Sequence, residues 1–310
     1  MRSVLLALAL LADFVAPSRA AETQVTILTS TTTGSWYPLG MALSSVYGDA
    51  IKGVSFSAQA TQASVENLRL LEAGDGELGF TLADTLASAV SSKEAGSDRL
   101  RGVARLYPNY VHLVASKESG IKTLADLKGK RVSLGPEQSG TAVIAAVILK
   151  AAGLTFGDLA RVDHAGFVAA GRMVEQGELD ANFAGTFGLG TELVRHILAS
   201  GRTTLVPIPS EVVAKIGNPA YMAGTIPAGS YDGQPAAVPT AVIKTLLVTR
   251  EGVSDDLVYR MTKLLFDHLD LLVQVFPATK DIDVAKAPFG LPIPLHPGAE
   301  KYYREIGLVK

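Results

Sequence analysis

The order of apolar and polar positions predicts a chain in which strands and helices alternate. Short runs rich in β-branched residues predict strands at 25–28, 54–58 and 78–81, and apolar residues at helical spacing follow each run. A polar junction separates each strand from its helix, at residues 30–35, 61–64 and 81–84. This alternation is typical of an α/β fold, in which ligands bind at the carboxyl ends of the strands.

The first junction has the highest density of hydroxyl groups, with six Ser or Thr residues among the seven at 29–35. Hydroxyls donate and accept hydrogen bonds without bringing a charge. The N–H groups at the start of the helix that follows add donors and a positive dipole end. This combination suits a small anionic or polar ligand. The alternative interpretation is a Ser/Thr-rich turn that only caps the helix.

The same order of elements returns in the second part of the chain. A strand at 131–135 leads through the loop 136–141 to an apolar helix from about Ala142 to Ala152. Further strands are predicted at 111–116, 179–184, 203–208 and 241–249, and helices at 156–161, 167–176, 192–200, 210–216, 254–276 and 298–306. The chain therefore contains two sets of strand, polar loop and helix.

Residues 1–20 have the pattern of a secretory signal peptide. Arg2 precedes an apolar core at 4–11, and a small-x-small cleavage site ends at Ala20. Removing Arg2, Arg19 and Asp13 leaves 26 basic and 29 acidic residues in the remaining 290, which is not the charge balance of a nucleic-acid-binding protein. A chain of this length favours two lobes, and export places it in the periplasm.

The composition argues against several kinds of chemistry. The chain contains no Cys, which excludes a thiol nucleophile, a disulfide and Cys-ligated metal. Its five His residues lack metal-ligand spacing such as HxxxH, so we expect no metal and no cofactor. Ser35 is not part of a GxSxG elbow, and no His–Asp pairing that would activate a Ser is evident. The composition therefore gives little support for a hydrolase or a metal enzyme.

Six stretches of sequence resemble those of a known family. They occur in the same order as in that family and extend over nearly the whole chain after the predicted signal peptide. They are Gly34–Gly40, Ser64–Leu71, Asp126–Ser133, Ser139–Thr141, Ile226–Tyr231 and Pro294–Ala299. With these stretches the chain resembles the extracytoplasmic solute-binding proteins of TRAP transporters of the TAXI type. It departs from them in the opening loop, where Ser30, Thr31 and Thr33 occupy positions at which glycine is usual. The added side chains narrow the space and supply hydrogen-bond donors, which favours an acid smaller than glutamate or different in shape.

The resemblance implies a two-lobed periplasmic binding protein fold, type II-like, with a cleft that closes over its ligand. Two strand-like segments, 111–116 and 242–249, are the expected crossings between the lobes. Lobe one is then 22–112 plus 248–310, and lobe two is 113–247. The implied ligand is a small organic acid, such as a dicarboxylate, keto acid or acidic amino acid. The implied partner is a TRAP transporter membrane subunit, usually a fused large and small subunit.

The motifs also indicate which residues face the cleft. The candidate ligand-binding residues are Ser30, Thr33, Trp36, Tyr37, Thr61, Ser64, Asn67, Asp84, Ser139, Gly140, Thr141, Phe183 and Thr186. For each hydroxyl beside a helix start, capping is the competing interpretation, and for Asp84 it is an acid favoured by the helix dipole. Two other functions stay open: an ABC-type periplasmic binding protein, and a secreted enzyme on the same fold.

Overall fold

The computed structural model of the protein describes residues 23–310, with Thr186 described by its backbone. The predicted signal peptide lies outside these residues. Ten strands form within the described residues, at Thr23–Leu28 (β1), Val54–Gln59 (β2), Leu78–Leu82 (β3), Leu100–Ser116 (β4), Arg131–Ser133 (β5), Arg161–Asp163 (β6), Ala181–Phe187 (β7), Thr203–Leu205 (β8), Met222–Ile226 (β9) and Val238–Arg250 (β10).

Ten α-helices separate or follow these strands. They are Trp36–Ala50 (α1), Ser64–Ala73 (α2), Ala83–Ser91 (α3), Gly140–Ala151 (α4), Phe167–Glu175 (α5), Glu192–Ala199 (α6), Ser210–Ile216 (α7), Asp255–Asp267 (α8), Leu269–Val275 (α9) and Pro297–Glu305 (α10). None of the helices in this described part is long and apolar enough to cross a membrane.

The strands join in the order β2-β1-β3-β10-β4-β7-β5-β6, with β8 beside β4 and β9 beside β10. Strand β4 pairs with β10 through residues 100–110 and with β7 through residues 110–115. Strand β10 pairs with β3 through residues 245–249 and with β9 through residues 238–242. These two long strands therefore run from one half of the sheet into the other, which confirms the predicted pair of crossing strands.

Most predicted elements form, and helix α1 begins at Trp36, directly after the predicted junction at 30–35. Three elements differ. Strand β4 begins eleven residues before the predicted strand. The predicted helical patch at 156–161 is a short 3₁₀ turn followed by strand β6. The predicted long helix from Ser254 breaks at His268, whose backbone leaves helical geometry (φ −119°, ψ 26°) and divides it into α8 and α9.

Apolar side chains from both halves form the core. A large cluster includes Ile27, Leu71, Phe80, Ile148 and Phe183, all almost fully buried. A smaller cluster packs around Val114, Phe167, Phe187, Ile197 and Tyr231. Burial of these apolar side chains holds the strand ends in position. The polar junctions that follow the strands therefore lie at the edge of the sheet where the two halves meet.

Candidate functional site

Four helices begin around one small cavity between the two halves of the molecule. We call this space the inner cavity; its volume is about 30 Å³, which is room for about two water molecules. Its walls are Ser30, Gly34, Ser35, Trp36, Ala63, Ser64, Leu82, Ser139, Gly140, Thr141, Phe167 and Phe187. Residues of the first turns of α1, α2, α4 and α5 are among them. The cavity therefore lies where several positive helix ends converge.

The polar side chains of the inner cavity are all hydroxyls. Among the residues that the structure describes, no Asp, Glu, Lys, Arg or His lines this cavity. Ser139 caps α4, because its Oγ accepts a hydrogen bond from the N–H of Ala142 at 3.1 Å. Within residues 23–310, no side chain caps the first turn of α1, α2 or α5. The capping interpretation therefore explains Ser139 but not the hydroxyls at the other helix starts.

Two residues that precede these helices have an unusual backbone. Ala63, before α2, has φ 77°, and Gln138, two residues before α4, has φ 59°. A non-glycine residue in this region costs free energy and persists only where its surroundings impose it. Both turns lead directly into a wall of the inner cavity. The helix starts are therefore held in position by their loops at a cost in strain.

The two halves touch closely beside the inner cavity. A methyl group added at Gly140 would lie 2.7 Å from Ser64 Oγ and 2.7 Å from Leu82 Cδ1. A methyl group added at Gly188 would lie 2.0 Å from Ala278 Cβ. Because no side chain fits at either position, the two glycines allow the halves to close on each other.

A second, larger space continues outward from the inner cavity. We call it the vestibule; its volume is about 620 Å³, and it shares Gly34, Ser35 and Phe187 with the inner cavity. Its other walls are Thr32, Thr33, Pro38, Leu189, Gly190, Thr191, Glu192, Leu193, Arg195, Ser230, Val275, Phe276, Pro277 and Lys280. The vestibule thus combines apolar surface with two cations and one carboxylate.

A buried hydrogen-bonded pair contacts the loop that forms one wall of the vestibule. Tyr231 Oη lies 2.7 Å from Nε2 of His112, and it accepts a hydrogen bond from the N–H of Gly190 at 3.2 Å. Burial lowers the pKa of His112 to about 4, so this imidazole is neutral at pH 7 and shares a hydrogen bond with the Tyr231 hydroxyl. The pair positions the loop after β7, which contributes Leu189, Gly190 and Thr191 to the vestibule.

The structure brings seven of the thirteen candidate residues to these two spaces. Ser30, Trp36, Ser64, Ser139, Gly140 and Thr141 line the inner cavity, and Thr33 lines the vestibule. Trp36 also stacks on Phe80 with 5.7 Å between ring centroids. The sequence did not single out Ala63, Leu82, Phe167 and Phe187, because apolar residues beside a cavity look like ordinary core residues.

Two other candidates lie outside both spaces and stabilise the turn that precedes α2. Asn67 is fully buried, and its Nδ2 donates to the carbonyls of Thr29 (2.7 Å) and Phe80 (2.8 Å). Thr61 donates to Asn67 Oδ1 at 2.6 Å and accepts the N–H of Ala63 at 3.0 Å. These bonds join the ends of β1 and β3 to the strained turn before α2. Both side chains are satisfied by the protein itself.

The remaining four candidates lie elsewhere. Asp84 is buried at the start of α3 and accepts a hydrogen bond from Tyr221 Oη at 2.6 Å. Burial raises the pKa of Asp84 to about 6, and the Tyr221 hydroxyl opposes this shift. Phe183 is fully buried in the core, and Tyr37 is half-buried outside the walls of both spaces. Thr186 pairs with Val111 in the sheet.

Metal binding has no support in the described part of the chain. Within residues 23–310, no group of three or more His, Asp or Glu side chains is arranged to hold a metal ion. The arrangement of the inner cavity, with helix ends and hydroxyl groups, is instead suited to a small anion that needs hydrogen-bond donors.

Comparisons with known proteins identify the family and the fold. The family model described as the NMT1-like family matches residues 27–307. PhnD1 from Prochlorococcus marinus in complex with methylphosphonate is 12% identical, with a TM-score of 0.56, and the match covers 93% of this chain and 100% of that chain. A structure described as a periplasmic transporter is 13% identical, with a TM-score of 0.57 and 93% of each chain covered.

A third solved structure has the same fold. It is a binding protein component of an ABC phosphonate transporter from Pseudomonas aeruginosa, 12% identical, with a TM-score of 0.52, and the match covers 83% of this chain and 79% of that chain. At this level of identity the likeness shows the fold, which is that of the two-lobed periplasmic binding proteins. The α/β two-lobed prediction is thereby confirmed; the lobe boundaries at 112/113 and 247/248 stay a prediction.

Proposed function

The chain belongs to the NMT1-like family, and from that premise we propose that it is an extracytoplasmic solute-binding receptor for a small organic anion. The observation that carries this proposal is the inner cavity, where four helices begin around a hydroxyl-lined space between the two halves. Helix N-termini and hydroxyls stabilise negative charge without a bound cation. On this fold, a site between the lobes is where a solute is enclosed.

The size of the two spaces suggests how the ligand lies. The inner cavity holds a single acidic head group, and the vestibule of about 620 Å³ holds the rest of the molecule. The resemblance in sequence favours a carboxylic acid, such as a dicarboxylate, keto acid or acidic amino acid. The complex of PhnD1 with methylphosphonate adds phosphonates to the candidates. All of these share a compact anionic head.

For the membrane partner, an ABC transporter is better supported than a TRAP transporter. The structure from Pseudomonas aeruginosa is described as the binding component of an ABC phosphonate transporter. A TRAP transporter of the TAXI type is supported by the six stretches of sequence given above. In either case the receptor works in the periplasm after export and hands its solute to a membrane subunit.

A ligand screen tests the proposal. We expect phosphonates, sulfonates, dicarboxylates or keto acids to raise the melting temperature of the exported chain. A ligand at about 100 times its dissociation constant adds about 2.7 kcal/mol to the free energy of unfolding. Uncharged amides or alcohols of matched shape are the controls. Stabilisation by neutral compounds alone, with no response to any anion, would contradict the proposal.

Two further measurements separate the alternatives. A secreted enzyme would convert the bound acid, whereas a receptor returns it unchanged after incubation, as mass spectrometry can establish. Uptake into cells that carry the neighbouring transporter genes distinguishes the partners: inhibition by vanadate indicates an ABC transporter, and inhibition by collapse of the ion gradient, with ATP maintained, indicates a TRAP transporter.

A further inference from the structure

A third space lies at the crossing strands, away from the inner cavity and the vestibule. We call it the hinge pocket; its volume is about 390 Å³. Its walls are Ala83, Ala87, Arg105, Asn218, Pro219, Ala220, Met222, Lys244, Gly290, Leu291 and Pro292. None of these residues lines either space of the cleft. The hinge pocket is therefore a separate site.

Two cations face this pocket from neighbouring crossing strands. Arg105 lies on β4 opposite Leu246, and Lys244 lies on β10 opposite Pro108. Both side chains are half-buried. Within residues 23–310, no carboxylate lies within 4 Å of either side chain, although the structure forms twelve such ion pairs elsewhere. Two half-buried like charges thus line one pocket without a contacting carboxylate among the described residues.

Charges of both signs surround this pair: Asp281 interacts with Lys244, and Asp283 interacts with Arg105. Lys286 is a third cation near Lys244, and it already forms an ion pair of 2.7 Å with Asp283. Asp281 attracts Lys244 from outside contact distance. Burial and the charge of Arg105 lower the pKa of Lys244, and Asp281 opposes this shift. Holding such a pair costs free energy unless an anion joins it.

We propose that the hinge pocket binds a small oxyanion, which Arg105 and Lys244 hold together. A guanidinium and an ammonium group are the side chains that pair best with carboxylate, phosphate or sulfate oxygens. The Asn218 side chain adds an amide donor at the wall, since its Oδ1 already accepts the N–H of Ala220 at 2.9 Å. The site is independent of the proposed solute site in the cleft.

The position of the pocket gives such an anion a structural effect. Residues 83–87 and 290–292 come from one half of the molecule, and residues 218–222 come from the other. Tyr221, in the latter segment, donates to Asp84 in the former. An anion that contacts Arg105, Lys244 and Asn218 therefore links the two halves at the crossing strands.

Sulfate is the probe for the test, and amide NMR shifts of the isotope-labelled full exported chain locate where it binds. We expect saturable shifts at Gly290 and at the side-chain amide of Asn218, over and above those produced by chloride at equal ionic strength. Lys244→Gln should weaken this binding by about tenfold, the value of one charge-assisted hydrogen bond. Arg105→Gln should act in the same way and is a second, independent variant.

Arg195→Gln, which removes a vestibule cation, is the matched control and should leave the shifts at Gly290 unchanged. Sulfate that shifts only Gly34 and Gly140 would overturn the hinge-pocket proposal and leave the proposed function intact. Shifts at Gly290 that persist in both Lys244→Gln and Arg105→Gln, or no shift at Gly290 in the parent protein, would also overturn it. Shifts at Gly290 without any at the cleft would support the hinge pocket and count against an anion site in the cleft.

Discussion

The inner cavity and the vestibule share three wall residues but differ in the forces that they can apply to a ligand. The inner cavity is small and offers hydroxyls and helix ends without an ionisable side chain among its described walls. The vestibule is about twenty times larger and offers apolar surface, Arg195, Lys280 and Glu192. Buried fixed dipoles act at short range in a low dielectric, whereas exposed charges are screened by salt. We infer that the inner cavity provides affinity and the vestibule provides selectivity.

The largest expected effect comes from preventing the two halves from meeting. In Gly188→Val the new side chain would occupy the position of Ala278, because even a methyl group there lies 2.0 Å from Ala278 Cβ. Both spaces then open to water, and we expect ligand affinity to fall at least about a hundredfold, about 2.7 kcal/mol. Isothermal titration calorimetry measures the loss, and small-angle scattering should give a larger radius of gyration.

Gly48→Ala is the control for this substitution, since a methyl group at Gly48 meets no atom within 4 Å. It should bind like the parent protein. Parent-like affinity in Gly188→Val would mean that closure at Gly188 does not contribute to binding.

Removing one hydroxyl from each space compares the two directly. Thr141→Val keeps the side-chain shape in the inner cavity, and we expect it to weaken the binding of an anion by about 1–3 kcal/mol, the range for hydrogen bonds to a charged group. Thr33 is exposed in the vestibule, where its Oγ1 lies 3.3 Å from Thr31 Oγ1, so water can replace it and Thr33→Val should have less than a threefold effect. Calorimetric titration of both variants checks this order.

The capping interpretation makes the opposite prediction for the same pair. If Thr141 only stabilises the start of α4, Thr141→Val should lower the melting temperature of the unliganded protein and leave affinity unchanged. Equal losses of affinity in Thr141→Val and Thr33→Val would remove the distinction between the two spaces.

Charge removal in the vestibule should have a smaller effect that depends on salt. Arg195 is largely exposed, and its closest carboxylate, Glu192, is 3.8 Å away. We therefore expect the double variant Arg195→Gln with Lys280→Gln to lose about threefold in affinity at low ionic strength and nothing at high ionic strength. Titrations at two salt concentrations measure this. A loss that persists in high salt would place a desolvated charge contact in the vestibule.

Among these residues, Asp84 should have the smallest effect on ligand affinity and the largest effect on how stability varies with pH. Its pKa of about 6 in the folded protein exceeds the usual 3.8, so between pH 4 and 6 the folded state retains a proton that the unfolded chain has released. This contribution therefore disfavours folding increasingly as the pH rises through that window, by up to roughly 3 kcal/mol. Asp84→Asn should remove this trend and change affinity at pH 7.5 by less than twofold.

Melting temperatures of parent and variant at pH 4, 5, 6 and 7 test this expectation, because their difference isolates Asp84 from other carboxylates. Tyr221→Phe keeps the acid and removes its hydrogen-bond donor, so it should retain the trend. A difference between parent and Asp84→Asn that does not vary with pH would be inconsistent with the raised pKa.

The sequence predicted the parts of the fold that depend on local pattern. Strands β1 to β3 and helices α2 and α4 follow from β-branched runs and apolar spacing, and the crossing by β4 and β10 was expected from the strand-like segments at 111–116 and 242–249. Strand β9 was not predicted, because Met222–Ile226 is largely exposed and pairs only through its contact with β10. The formation of β9 depends on its tertiary pairing with β10 and not on a pattern in its own residues.

The prediction of the candidate site was limited in the same way, by contacts between distant parts of the chain. Hydroxyls beside helix starts could be recognised in sequence, and four of them line the inner cavity, at Ser30, Ser64, Ser139 and Thr141. Asn67 and Asp84 have the same sequence context, but long-range partners, Thr29 and Phe80 for one and Tyr221 for the other, occupy their polar atoms. The Arg105 and Lys244 pair was also invisible, since these residues lie far apart in the chain and meet only across two strands.

The most direct test of the account is a crystal structure of the protein with the anion that gives the largest thermal shift. We expect the acidic group of the ligand in the inner cavity, within hydrogen-bonding distance of Thr141 Oγ1 and of backbone N–H groups that open α1, α2 or α4. The rest of the ligand should extend past Phe187 into the vestibule. An acidic group bound to Arg195 and Lys280, with the inner cavity holding only water, would contradict the account.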